Sequence, residues 1–113
     1  MSDLQGDFRD ALASWASGVS VVACRSKTGL MYGLTVSSFA SVSLDPPLVL
    51  VCLNNANRLP AMIEAARGFT ISILSRGQDE TSNYFASRGR EPSPEFHDEH
   101  PGDWTAAGRP VVR

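Results

Sequence analysis

Thr35, Ser37, Ser38, Ser41 and Ser43 crowd one stretch, residues 33–43, of a 113-residue chain. Hydroxyls fill a core poorly, because burying one without a partner costs roughly 1–3 kcal/mol. Two uses explain such a cluster. The hydroxyls can bond nearby backbone in a solvated segment, or they can form a wall of donors toward a polar, phosphate-bearing ligand. Their neighbour in sequence is apolar, which makes their number unusual. Residues 44–47, LDPP, read as a turn, since Asp45 can bond the backbone ahead of it and two prolines fix φ and remove donors. Residues 48–53, LVLVCL, carry no charge and have the pattern of a strand buried on both faces.

Other reactive side chains offer less. Cys24 and Cys52 sit in apparent strands, where buried free thiols in a reducing compartment are expected in place of a disulfide. With no histidine close by they make a poor zinc site. His97 and His100 stand three apart, as on a helix that could share a metal, but Pro94 and Pro101 bracket them and argue against that helix. A solvated pair is expected and no metal site is assigned. No acid–base pair or nucleophile is visible, so no catalytic residue is named.

The elements that must position the hydroxyl stretch follow from periodicity. Residues 7–17 read as a helix with Phe8, Leu12 and Trp15 on one face, ended by Gly18. Residues 18–25 and 32–38 form a hairpin about a turn at 26–29. Leu59, Met62, Ile63 and Ala66 fall at helical spacing, which predicts a helix over 58–67 closed by Gly68. Residues 69–74 alternate, with Phe69, Ile71 and Ile73 expected inward and Thr70 and Ser72 outward. Ser75 and Gln78 suggest a capping box for a helix over 76–86. Residues 87–109, rich in Pro, Gly and charge, read as a long irregular loop. No Gly-x-Gly-x-x-Gly follows a strand, so a dinucleotide-binding α/β fold lacks its fingerprint.

This length allows a single domain, residues 1–113. A net charge of -2 leaves no electrostatic footprint for nucleic acid or an anionic membrane. The start, MSDLQGD, lacks the basic and apolar regions of a signal peptide, and no apolar run approaches the ~18 residues of a membrane span. These features predict a soluble, cytoplasmic protein.

The motifs, taken in order, resemble one family. Residues 33–54, GLTVSSFASVSLDPPLVLVCLN, are similar to the G-x-T-x-S/A-S/N-F-x-S-V/L-S-x-x-P-P-L segment of the flavin reductase-like family. Residues 8–22 (FRDALASWASGVSVV) resemble that family's opening helix and first strand. Residues 69–85 (FTISILSRGQDETSNYF) resemble its F-x-I-N-x-L-S block, and GRPVV at 108–112 its next strand entry. The resemblance implies a mostly β fold with short helices, the antiparallel, Greek-key FMN-binding split β-barrel, incomplete at the C-terminus. The family's Gly-Asp-His segment, whose histidine lies near the nicotinamide, would then fall beyond Arg113.

The resemblance also implies a function: an NAD(P)H-dependent flavin reductase that supplies reduced flavin to a partner monooxygenase. The cofactor would be FMN, with FAD possible in its place, the donor NADH or NADPH, and the assembly a homodimer. The flavin would carry the redox chemistry while the protein supplies position and electrostatics. On the matching positions, Thr35, Val36 and Ser37 would run along the ring edge. Ser38, Ser41, Val42 and Ser43 would lie near the ribityl chain and the pyrimidine end. Cys52, Leu53 and Asn54 would close the slot. Asn57 and Arg58 would open a helix whose N-terminus and guanidinium suit a phosphate. Phe85 and Arg88 would cover the ring or reach the phosphate; Phe85 as core and Arg88 as a solvated charge are the plain alternatives. A flavin-binding module without hydride transfer is the competing function.

Overall fold

β1 (Ser20–Arg25) is the centre of the fold. Its sequence, SVVACR, is short-chained and β-branched, and Val21, Val22, Ala23 and Cys24 are all fully buried. Both of its edges are paired. β2 (Met31–Val36) pairs with it antiparallel, Val22 opposite Leu34, and β5 (Thr70–Ile73) pairs antiparallel on the other edge, Val22 opposite Ile71. The sheet order is β2-β1-β5. The computed structural model describes residues 3–13, 18–94, 102–104 and 110–112.

Each face of this sheet has a helix. α2 (Leu59–Ala66) covers the face of Val22, Cys24, Tyr32 and Val36, with Leu59 fully buried and Met62 and Ile63 packed beside it. α3 (Asp79–Ala86) covers the face of Val21 and Gly33 with its fully buried Phe85. The absence of a side chain at Gly33 makes this packing possible. A Cβ there would stand 3.0 and 3.1 Å from the Phe85 ring and 3.2 Å from Val21 Cγ1. The β1–β2 turn is held by Ser26, whose Oγ accepts from the Leu30 N–H at 3.0 Å, and by Gly29 at φ +89°.

Burial on this sheet pushes the Cys24 thiol from its ordinary 9.0 up to about 11. Above pH ~9 the unfolded chain releases a proton that the folded chain retains. Stability is therefore intact below that pH and falls as pH rises toward about 11, by on the order of 2 kcal/mol. Denaturant midpoints on the two sides of this window, compared with those of Cys24→Ala, check the effect. The wild type should lose more than the variant, and parallel pH dependences would contradict the assignment.

Two smaller ribbons complete the described elements. β3 (Ala40–Ser43) pairs antiparallel with β4 (Leu48–Leu50) across the turn at 44–47, with a register shift between Ser41 and Ser43. β6 (Gly102–Trp104) pairs with β7 (Pro110–Val112), and β7 lies near β1 and β5. β6 stands within the stretch read from sequence as an irregular loop. The sheets do not close on one another among the described residues.

Several expectations are corrected here. The apolar run is a strand only over Leu48–Leu50, and it is half exposed, not buried: Leu48 50%, Val49 50%, Leu50 51%. β4 belongs to a two-stranded ribbon that no described layer covers, although Val51 and Leu53 beyond it pack on the core. Cys52 is likewise exposed, so only one of the two free thiols is buried. In β5 the alternation holds but the burial does not. Ile71 joins the core, Ile73 at the strand end is 70% exposed, and Ser72, opposite Val21, is the buried residue. α2 is closed by Arg67 in the left-handed conformation, φ 58°, and not by Gly68; the Arg67 N–H donates to Ile63 O at 2.7 Å.

α3 starts later than expected. Gln78 Oε1 accepts from the Ser75 N–H at 2.7 Å, one half of a capping box. Ser75 Oγ contacts the same oxygen at 3.1 Å, and Gly77 at φ +91° delays the helix to Asp79. α1 (Leu4–Ala13) begins before the expected helix and leaves Phe8 exposed. Trp15, His97 and His100 lie outside the described residues, and the side chain of Leu12 does as well.

Candidate functional site

The hydroxyl stretch divides into two groups. Thr35 Oγ1 donates to the Ser82 carbonyl of α3 at 2.6 Å. Ser38 Oγ donates to Cys52 O at 3.0 Å and accepts from the Cys52 N–H at 3.1 Å, joining the end of the hairpin to the strand exit. These two hydroxyls serve backbone, the plainer of the two uses open from sequence. No hydrogen bond among the described residues engages the side chains of Ser37, Ser41 or Ser43, and Ser37 and Ser41 are exposed. Val36 is buried in the core, while Val42 is exposed on β3.

Beyond Cys52 the chain leaves the core through a polar turn. Leu53 packs on the core cluster. Asn54 Oδ1 accepts from the Ala56 N–H at 2.9 Å and Asn57 Oδ1 from the Leu59 N–H at 2.9 Å. Both asparagines are thus local turn-formers. Their work thins the donor supply at the start of α2, since Leu59 gives its N–H to Asn57 and Pro60 has none. An anion here would depend on Arg58 more than on the helix amides.

Arg58 is set out for such a role. Its guanidinium forks onto Glu91, Nη1 to Oε2 at 2.8 Å and Nη2 to Oε1 at 3.3 Å. It also lies 5.5 Å from the centroid of the Tyr32 ring. The hydrogen bond to Glu91 holds its pKa above the ordinary arginine value, so it is a fixed cation.

Arg90 and Glu91 were not found from sequence. Arg90 Nη2 donates to Gly33 O at 2.9 Å and to Phe85 O at 2.8 Å, and its Nε donates to Ser87 O at 3.2 Å. Its guanidinium lies 4.9 Å from the Tyr32 ring centroid, 5.4 Å from Tyr84 and 5.5 Å from Phe85. The run RGRE carries no spacing signal, and Gly33, 57 residues from Arg90, and Arg58, 33 from Glu91, leave no local pattern. Of the other sequence candidates, Phe85 is fully buried against Gly33. Arg88 is exposed and makes no hydrogen bond or ion pair among the described residues.

Residues 12–113 match the family model of the flavin reductase like domain, and the chain belongs to that family. It is 43% identical over 84 residues to the reductase component of 4-hydroxyphenylacetate 3-monooxygenase from Thermus thermophilus, covering 74% of this chain and 56% of that protein. It is 34% identical over 106 residues to the NADH-dependent flavin reductase StyB of Pseudomonas fluorescens, covering 94% of this chain and 59% of that one. Among solved structures, the styrene monooxygenase flavin reductase of Pseudomonas putida superposes with a TM-score of 0.74 at 34% identity, over 95% of this chain and 66% of that one. Nitrilotriacetate monooxygenase component B from Mycobacterium thermoresistibile gives 0.82 at 32% identity, over 96% and 57%. The chain thus spans well under two thirds of these curated relatives. The mostly β fold with short helices, the split barrel expected from sequence, is the fold of these flavin reductases. No described helix is long and apolar enough to cross a membrane.

The residues present suit the phosphate of a bound flavin. Arg58 already holds a two-oxygen anion in a fork, the geometry in which guanidinium binds carboxylate and phosphate alike.

Proposed function

We propose that this chain is the flavin-binding part of an NADH-dependent flavin reductase that delivers reduced flavin to a monooxygenase. The family match over 12–113 carries the reading, and the relatives named as monooxygenase reductase components support the partner. When bound, the flavin supplies the redox chemistry with the nicotinamide. The chain's own part is to bind and orient. Arg58 takes the phosphate, Ser37, Ser41 and Ser43 donate to the ribityl and ring edges, and the backbone of Thr35–Val36 and Cys52–Asn54 frames the slot. Thr35, Ser38, Asn54 and Asn57 hold that backbone in place.

FMN is the flavin we favour, since a single phosphate matches a single fixed guanidinium; NADH is the donor named for three relatives. The protein works as a homodimer in the cytoplasm. The exposed apolar ribbon of Val42, Leu44, Leu48, Val49 and Leu50 supports a second copy, because monomers seldom expose so contiguous a patch.

The test is an anaerobic mixture of protein, NADH and FMN followed by absorbance. Flavin should bleach in step with nicotinamide oxidation, faster than in the protein-free mixture. Saturable flavin binding with no acceleration would identify a flavin-holding module without reductase activity.

A further inference from the structure

Glu91 is the anion that Arg58 holds. It comes from a segment 33 residues away that is pinned on both sides. Arg90, just before it, is anchored to three carbonyls, and Ser93, two residues after it, exchanges backbone hydrogen bonds with Met31 at 2.6 and 3.0 Å. Pro92 between them restricts the backbone of Glu91 further. Both side chains are nonetheless open to water, Arg58 at 42% and Glu91 at 75%, so the pair can be opened from outside.

A carboxylate in a guanidinium fork takes the same pair of Nη donors that a phosphate uses. A phosphate monoester brings about -1.5 to -2 charges against the single charge of the carboxylate, so it competes well for the fork. It must nevertheless displace Glu91 and then tolerate a negative charge beside it.

From this geometry we infer that Glu91 is a specificity determinant: an internal competitor for Arg58 that weakens binding of phosphorylated flavins and leaves the unphosphorylated flavin unaffected. The inference rests on the reading that Arg58 receives the flavin phosphate. It assigns to Glu91 a role in ligand choice that its place in a loop does not suggest. Because the pair is solvent-exposed, the effect is modest and decreases with salt.

Titration of the protein with FMN and with riboflavin, for the wild type, Glu91→Gln, Arg58→Ala and the double variant, tests this. Glu91→Gln should tighten FMN binding roughly two- to five-fold, the scale of an exposed ion pair, and leave riboflavin unchanged. The gain should vanish in the Arg58→Ala background, which makes it a coupling and not a general charge effect. If Glu91→Gln leaves FMN affinity unchanged or weakens it while Arg58→Ala selectively weakens FMN, competition is wrong and the phosphate role of Arg58 stands. If Arg58→Ala affects FMN and riboflavin equally, both fall.

Discussion

Phe85→Ala is expected to destabilise the protein by about 3–5 kcal/mol, a large share of the roughly 5–15 kcal/mol that holds a domain together. The ring is fully buried between α3 and the sheet and makes an edge contact with Tyr84 at 4.9 Å. Its loss leaves a cavity over Gly33, where no side chain can collapse into the space. Urea midpoints give the magnitude. A companion variant sharpens the test. Gly33→Ala alone overpacks against the ring and should cost about 1–3 kcal/mol. In the Phe85→Ala background the same methyl enters the cavity, so the double variant should be more stable than the sum of the two costs implies. Additive costs would mean that the two residues do not pack as described.

The second large effect concerns Arg90. Arg90→Met keeps most of the stem and removes every donor. The carbonyls of Gly33 and Phe85 then lose their partner in a partly buried setting, along with the stacking on Tyr32. Hydrogen bonds to a charged group contribute about 1.5–3 kcal/mol each and the exposed share is worth less, so the variant should lose roughly 2–4 kcal/mol. Arg90→Lys should recover the minor part, because an ammonium cannot reach two carbonyls and a third with a planar fork. Denaturant unfolding of both variants measures this. A change under about 0.5 kcal/mol, the range of ordinary surface substitutions, would show that the guanidinium is a bystander.

These two residues also mark what the sequence could and could not convey. The β1–β2 hairpin and α2 were readable because their signals are local: a turn of Ser26–Gly29 between β-branched runs, and Leu59, Met62 and Ile63 at helical spacing. The resemblance of 33–54 identified the family before any fold was seen. What failed depended on neighbours. Leu48–Leu50 has the composition of a buried strand, but its burial depends on what lies over the ribbon, and composition does not encode that. Ser72 and Ile73 alternate as expected, yet Ile71 packs on the core cluster while Ile73, at the strand end, is exposed. The resemblance implies a place for Ser38 near the ribityl chain; its hydroxyl bonds the Cys52 backbone, fourteen residues on, a pairing that no local pattern announces. The Arg90 anchor joins one guanidinium to β2, α3 and Ser87, a convergence with no periodicity to reveal it.

We propose that the turn after Cys52 holds a flavin by its phosphate on Arg58. Equilibrium titration of flavin fluorescence tests it most directly, with FMN and riboflavin as the paired ligands and wild type and Arg58→Ala as the paired proteins. Saturable binding is expected, tighter for FMN than for riboflavin, with that preference lost in Arg58→Ala. Absence of saturable flavin binding, or an FMN preference that survives the substitution intact, would contradict it.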